Sequence, residues 1–318
     1  MPGKGIPMEL SDRILVTGAT GMVGGQFAQS LRGAGFTDVL TPGRDELDLC
    51  DSRSVDAWFE AHRPQFAFLL AAQVGGIAAN VADPVGFLEN NLRIAVHQLS
   101  ACHRFGVEKL LLLGSTCIYP RACEQPMQEE ALLSGPLEPT NEGYALSKIA
   151  ALRLAQAYRE QYGMQCVLPM PCNIYGTGDH FDLKNSHVLS ALVRRFCDAV
   201  DQGVEVITLW GTGSARREFI HVDDVVAGML YLFESTDDGQ IVNLGTGVDL
   251  SIAELATRIA AATGYQGRIE WDVTKPDGMP RKCTDTTRLK SLGFEAQVDL
   301  DTGIQRTVKE YRELVKNK

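Results

Sequence analysis

Arg13-Ile14-Leu15-Val16-Thr17-Gly18-Ala19-Thr20-Gly21-Met22-Val23-Gly24 is the stretch that decides the fold. Its first half reads as a short apolar strand, and its second half places glycines at positions 18, 21 and 24. Glycines so spaced let the backbone turn tightly and approach a pyrophosphate, which the N-terminus of a following helix attracts. The spacing differs from the G-x-G-x-x-G dinucleotide fingerprint, and glycines also serve plain turns. The strand–loop–helix context, with a helix expected over 22–33, favours a nucleotide.

Outward from this loop, apolar runs at 38–41, 66–71, 109–113 and 166–170 alternate with helical patterns at 55–62, 91–105 and 144–162. That rhythm predicts an α/β fold, a Rossmann-type doubly wound parallel sheet. Ligands of such sheets bind beyond the carboxyl ends of the strands. The glycine loop, Ala71-Ala72, Ser115 and Cys117 all fall at such ends. After Tyr175 the pattern changes to a polar loop over 177–185 and a helix over 188–200. Strands at 218–221 and 241–244 are expected to return to the sheet, with a helix over 223–233 between them. Ser251 and Glu254 form a capping box that opens a helix over 251–263. The expected division is a cofactor-binding domain over 11–176, rejoined by 218–245, and a smaller C-terminal substrate-binding lobe over 177–217 and 246–318.

With 45% hydrophobic and 22% charged residues among 318, the chain has an ordinary globular composition and can bury a sizeable core. The net charge of −10 carries no nucleic-acid footprint. An anionic ligand would have to be held by local cations and backbone amides against the overall field. None of the eight cysteines forms a C-x-x-C pair, so no metal centre is expected, and free thiols suit a cytoplasmic protein. Residues 1–10 read as a loose tail without a signal-peptide core, and no apolar run reaches membrane-spanning length.

A second stretch, Tyr144-Ala145-Leu146-Ser147-Lys148, carries chemistry. Residues i and i+4 share a helix face. An ammonium there is expected to lower the phenol's pKa from its usual value of about 10. Such a tyrosine can exchange a proton with a carbonyl or alcohol oxygen while a nicotinamide exchanges hydride. Alone, the pair is more often a solvated helix face; the glycine loop before it and Ser115 between turn the reading toward chemistry. Ser115, at a strand end, can hold the same substrate oxygen or simply cap the strand. Cys117 can act as a base if cations surround it, or pack as a small apolar side chain. His187 can exchange protons near neutral pH or serve as a helix cap. His221 reads as structural.

The cofactor's identity turns on the second strand. An acid about 20 residues beyond the loop would grip the ribose 2′-hydroxyl of NAD. Asp38 has that spacing but opens its strand, which puts it at the wrong end of the sheet. The strand leads instead into Thr41-Pro42-Gly43-Arg44. Arg44 can pair with a 2′-phosphate through its planar fork, or with Asp45 or Glu46, and NADP is the favoured cofactor. Arg194, Arg195, Arg216, Arg217, Lys275, Arg281 and Lys282 concentrate in the C-terminal part. Charge runs are usually solvated, yet in an acidic chain this set can hold a diphosphate while Trp210 stacks on a base.

Several further segments are selective: Arg44-Asp45-Glu46-Leu47-Asp48-Leu49, Ala71-Ala72-Gln73-Val74-Gly75-Gly76-Ile77, Ser115-Thr116-Cys117-Ile118-Tyr119-Pro120, Leu137-Glu138-Pro139-Thr140-Asn141-Glu142, Asn185-Ser186-His187-Val188, Arg217-Glu218-Phe219 and Lys275-Pro276-Asp277-Gly278. Together with the glycine loop and the Tyr-Lys pair, they resemble the extended short-chain dehydrogenase/reductase family, and within it the epimerase/reductases of GDP-4-keto sugars. The resemblance runs from Ile14 to beyond Arg281. It implies NADPH-dependent inversion at C3 and C5 and reduction at C4 of GDP-4-keto-6-deoxy-D-mannose, giving GDP-L-fucose. Ser115, Tyr144 and Lys148 match the family's reductase triad, and Cys117 and His187 its epimerisation base and acid. Cofactor contacts are implied for Gly18, Thr20, Gly21, Met22, Val23 and Gly24, for Arg44, Asp48 and Leu49, and for Ala71, Ala72, Pro171, Asn173 and His187, beside Tyr144 and Lys148. Asn173, Arg195, Trp210, Arg217 and Lys282 are implied to line the GDP-sugar site. A homodimer is implied too, with the helices at 91–105 and 144–162 as its candidate elements.

The chain departs from the family pattern at Gln73, where some members carry Lys, and at Gly176-Thr177-Gly178-Asp179-His180, where Gly-Pro-His-Asp-Asn is more usual. Related GDP-4-keto dideoxy hexoses or heptoses are therefore alternative substrates. A 4-epimerase or dehydratase is a further alternative, although Thr116 and Cys117 stand where a dehydratase carries an Asp/Glu pair. A non-catalytic NADP-binding regulatory protein is a third, against which the intact reactive residues argue.

Overall fold

The computed structural model describes residues 7–182, 187–275 and 277–316. Most of the expected amino-terminal tail lies outside these residues, as do Asn185 and Ser186 before His187.

The elements run β1 (Arg13–Thr17), α1 (Met22–Gly33), β2 (Asp38–Leu40), α2 (Ser52–His62), β3 (Phe66–Leu69), α3 (Ile77–Ala82), α4 (Pro84–Arg104) and β4 (Lys109–Leu112). They continue with α5 (Glu142–Tyr162), β5 (Gln165–Pro171), β6 (Asn173–Tyr175), α6 (Val188–Gln202), β7 (Val206–Trp210), β8 (Arg216–His221), α7 (Val222–Ser235) and β9 (Asp238–Leu244). The last are β10 (Asp249–Ser251), α8 (Ile252–Thr263), β11 (Arg268–Asp272), β12 (Arg281–Lys282), α9 (Thr287–Ser291) and α10 (Leu300–Lys316).

Six parallel strands in the order β2-β1-β3-β4-β5-β9 form the main sheet. Its inner strands β1, β3, β4 and β5 are buried on both faces, which is why they read as continuous apolar runs. Phe27 and Leu31 of α1 and Val225 and Phe233 of α7 pack on one face. Val55 and Phe59 of α2, Leu99 of α4 and Leu152 of α5 pack on the other. Strand order reverses between β1 and β3, and the crevice there is the expected ligand position of such a sheet.

The strand expected at 218–221 does not return to this sheet. As β8 it pairs with β6, β10 and β12 in a separate sheet, and only β9 joins the main one. The reason lies in Glu218, which is 1% exposed on β8. Its carboxylate accepts hydrogen bonds from the amides of Thr246 (2.6 Å), Gly247 (2.7 Å) and Thr284 (2.7 Å) and from the Thr284 hydroxyl (2.8 Å). A carboxylate with four donors is a hub for the smaller lobe and would have no partners between apolar strands. Burial nevertheless pushes its pKa up, against the pull of those donors. Glu218→Ala is expected to destabilise the protein by about 3 kcal/mol, because three backbone amides, that of Thr284 buried, lose their acceptor. An unchanged urea midpoint would remove Glu218 from this role.

The smaller lobe has its own core, with Leu192 and Phe196 of α6, Leu255 and Ile259 of α8, and Ile304 and Val308 of α10. The capping box at Ser251 and Glu254 forms as expected, with both hydrogen bonds present. Helix α4 begins well before the expected position 91, since Asp83 caps it by accepting from Gly86 N (3.0 Å) and Pro84 takes the first turn.

Candidate active site

The glycine loop is built for close backbone approach. Gly18 has φ +73°, and a Cβ added there would lie 2.9 Å from the Ala71 backbone. One added at Gly24 would lie 2.3 Å from the Gly18 carbonyl oxygen. Gly21 is the N-cap of α1, and no side chain caps that helix or places an acid in its first turn. A Cβ at Gly21 would meet only the Gly18 oxygen, at 3.4 Å. The first amides of α1, at the mouth of the β1–β3 crevice, thus have no side-chain cap, which fits a pyrophosphate.

Asp38 sits at the start of β2 and pairs with Arg13 (2.7 Å), at the end of the sheet away from the loop. Arg44 is exposed beyond the other end of β2 and has no ion pair among the described residues. Glu46 instead accepts from Gly43 N (2.9 Å), closing its own turn. The free guanidinium suits a 2′-phosphate. Asp48 accepts from Cys50 N (2.9 Å), and the Leu49 carbonyl meets His97 (2.9 Å), so both hold the segment after β2 in place.

Beyond β4, Ser115 caps a single 3-10 turn over Thr116–Ile118 that carries Cys117. Tyr144 and Lys148 stand on successive turns of α5, facing that turn. The Ser115 side chain lies close enough to the Tyr144 phenol to favour its ionised form. The Lys148 ammonium donates to the Leu113 carbonyl (2.9 Å) and lies 5.8 Å from the centroid of the Tyr144 ring. Phe87 of α4 meets that ring edge-on at 6.5 Å. The expected lowering of the phenol pKa does not occur. Burial raises it well above its ordinary range, the neighbouring Cys117 adds to the rise, and Ser115 opposes it only in part. Burial also brings Lys148 down to about 8. Desolvation outweighs the pairing because the ammonium is engaged by a carbonyl and not by the phenol oxygen. A phenol that holds its proton is an acid, the form needed to protonate a substrate oxygen.

Three segments meet at the Cys117 sulfur. Asn141 Nδ2 donates to Sγ at 3.4 Å, and the Lys282 ammonium reaches it at 4.0 Å. Lys282 arrives on β12, in register with Arg217 of β8. Sequence reading assigned Lys282 to the substrate and gave Asn141 no role of its own. The contact with the thiol came from a strand only two residues long, which no periodicity reveals. Asn141 Oδ1 is buried without a hydrogen-bond partner among the described residues.

His187 is the exposed N-cap of α6, and its side chain makes no capping hydrogen bond. No hydrogen bond joins it to Cys117. Pro171 ends β5, and Asn173 of β6 donates to the Glu218 carbonyl (2.7 Å). The basic set divides. Arg216 and Arg281 both bind Asp249 (2.7 and 2.9 Å), and Arg194 pairs with Asp198 (3.4 Å). Arg195, Arg217, Lys275 and Lys282 have no ion pair among the described residues. Arg217 donates instead to the carbonyls of Arg216 and Met279, each at 2.7 Å. Trp210 is 70% exposed at the end of β7, with the Lys275 ammonium 5.9 Å from its ring centroid. Asp277 ties this region to the neighbouring turn by accepting from the Thr212 amide (2.6 Å) and hydroxyl (2.8 Å). His221 is structural, as expected: it caps α7 and accepts from Asp223 N (3.2 Å). Among the described residues no group of His, Cys, Asp or Glu could hold a metal ion, and no helix is long and apolar enough to cross a membrane.

Residues 14–245 match the model of the NAD dependent epimerase/dehydratase family. GDP-L-fucose synthase 1 of Arabidopsis thaliana is 43% identical over 308 residues, covering 97% of this chain and 95% of that one. GDP-L-fucose synthase of Escherichia coli (strain K12) is 43% identical over 304 residues, covering 93% and 95%. The crystal structure of a GDP-L-fucose synthetase from Naegleria fowleri bound to NADP superposes with a TM-score of 0.89 at 26% identity, covering 98% of each chain.

Proposed function

Since the chain belongs to the NAD dependent epimerase/dehydratase family, we propose that it is the NADPH-dependent enzyme that epimerises GDP-4-keto-6-deoxy-D-mannose at C3 and C5 and reduces it at C4, giving GDP-L-fucose. The observation that carries this reading is the meeting of two kinds of chemistry in one cleft. Tyr144, with Ser115 and Lys148 beside it, stands next to a thiol that Asn141 and Lys282 contact. A plain reductase has no use for the second set.

The C4 ketone of the substrate acidifies the protons on C3 and C5. Cys117, as thiolate, removes such a proton, and the electron pair moves onto the C4 oxygen. Ser115 and Tyr144 hold that oxygen by hydrogen bonds. His187, at the head of α6, is assigned as the acid that returns a proton to the opposite face of the carbon. Once Cys117 has given its proton to water and His187 has taken one back, repeating this at the second centre completes the epimerisation. NADPH, when bound, supplies the hydride to C4. Tyr144 then gives its phenolic proton to the C4 oxygen, and Lys148, fixed by the Leu113 carbonyl, would hold the cofactor ribose. Arg195, Arg217 and Lys282 face the diphosphate, and Trp210 offers its exposed ring to guanine. The lobe over 177–217 and 246–318 is thus the GDP-sugar side of the cleft.

Incubating the protein with the keto sugar and NADPH in deuterated water tests this reading. The expected result is NADPH consumption with GDP-L-fucose deuterated at C3 and C5. Consumption without label at either carbon would leave only a reductase. Failure with this sugar but turnover of a dideoxy or heptose analogue would reassign the substrate.

Arg44 is assigned to the cofactor's 2′-phosphate. Arg44→Ala is expected to weaken NADPH about tenfold or more and to leave NADH nearly unchanged, the loss of one charged hydrogen-bonded contact. Fluorescence titration of both cofactors reads this difference, and equal losses would refute the contact. We further assign a homodimer working in the cytoplasm. Helices α4 and α5 carry exposed Val96 and Leu146, and all eight cysteines are free thiols.

A further inference from the structure

Residues 176–181 are tied down from two helices of the smaller lobe and lie against the cofactor helix. Glu310 of α10 accepts from the Gly178 amide at 2.8 Å. The Phe181 ring stands 4.9 Å from that of Tyr311, the residue after Glu310. From α6, Ser190 donates to Asp179, and Arg194 donates to the Phe181 carbonyl (2.9 Å). On its inner side the loop touches α1: a Cβ added at Gly178 would lie 3.5 Å from Met22 Cα and 3.6 Å from Gln26 Nε2. Gly178 itself has φ +84°, where other residues are strained.

Glu310 is a poor choice for packing alone. It is half-buried, burial pushes its carboxyl up, and its nearest charged neighbours are the acids Asp179 and Glu313. No cation pairs with it among the described residues, and its Oε2 is buried without a hydrogen-bond partner. What it holds is the amide of an exposed glycine lying on the first turn of α1, next to the amides that no side chain caps. We infer that residues 176–181 form a latch across that turn, and that Glu310 is the positioning residue that keeps the latch closed over the cofactor's pyrophosphate. This inference rests on the reading of the glycine loop as an NADP site.

Fluorescence titration of NADPH into the wild type, Glu310→Ala and Glu310→Gln tests the inference. Glu310→Ala is expected to bind about tenfold more weakly, the size of one lost hydrogen bond to a charged group. Glu310→Gln keeps an acceptor for Gly178 and is expected to stay within about threefold of wild type. Amide hydrogen exchange over 176–181 should slow when NADPH is added to the wild type and change less in Glu310→Ala. Unchanged affinity in Glu310→Ala, or an equal loss in Glu310→Gln, would overturn the latch. Should Glu310→Ala not fold, Thr177→Val removes the loop hydroxyl next to the Glu310 carboxylate. An affinity about threefold weaker supports the latch and an unchanged one overturns it. A wild type that does not bind NADPH would instead refute the cofactor reading itself.

Discussion

Tyr144→Phe is expected to slow NADPH oxidation with the keto sugar by about a thousandfold, within the range that general acid catalysis contributes. The substitution removes one oxygen and little else. The ring keeps its edge contact with Phe87, and Lys148 keeps its hydrogen bond to the Leu113 carbonyl, so neither the fold nor cofactor binding should change. What is lost is the phenol beside Ser115. Burial keeps its proton on at neutral pH, so the group waits as a donor and needs no prior protonation. The lost donor also faces the oxygen that carries charge during epimerisation. Deuterium exchange at C3 and C5 should therefore weaken, but far less than reduction, because Cys117 is untouched. Parallel measurement of nicotinamide absorbance and NMR exchange separates the two effects. Turnover within tenfold of wild type would place the acid elsewhere.

The parts of this site that were legible in the sequence are those with local signatures. Glycines between a strand and a helix, and a Tyr and Lys one turn apart, announce themselves because short-range geometry requires them. The main sheet was legible for the same reason, since parallel strands buried on both faces read as apolar runs. The destination of β8 was not legible. Its sequence, Arg216-Arg217-Glu218-Phe219-Ile220-His221, ends in an apolar stretch like a strand of the main sheet. Its partner was decided by Glu218 and by donors at positions 246, 247 and 284, all distant in the chain. The rise in the Tyr144 pKa was hidden in the same way. Spacing shows that Lys148 is near, but only the packed structure shows that the Leu113 carbonyl engages it and that burial dominates.

Cys117→Ser is expected to reduce deuterium incorporation at C3 and C5 by about a thousandfold, the contribution of a positioned base, while an already epimerised 4-keto sugar is still reduced. A serine hydroxyl fills nearly the same space and can accept from Asn141, but it does not ionise near neutral pH as a thiol can. Lys282→Met gives the sharper test, because it leaves the sulfur in place and removes only the charge beside it. A unit charge 4.0 Å away is worth about 4 kcal/mol at an effective dielectric near 20, and less in a cleft open to water. A slowing of exchange by about tenfold to a hundredfold is the corresponding expectation. If Lys282 acts only on the diphosphate, Lys282→Met should raise KM and leave the exchange rate at saturating substrate unchanged. If it supports the thiolate, saturation will not restore that rate. The outcome decides whether β12, a strand of two residues, belongs to substrate binding alone or also to the proton transfer.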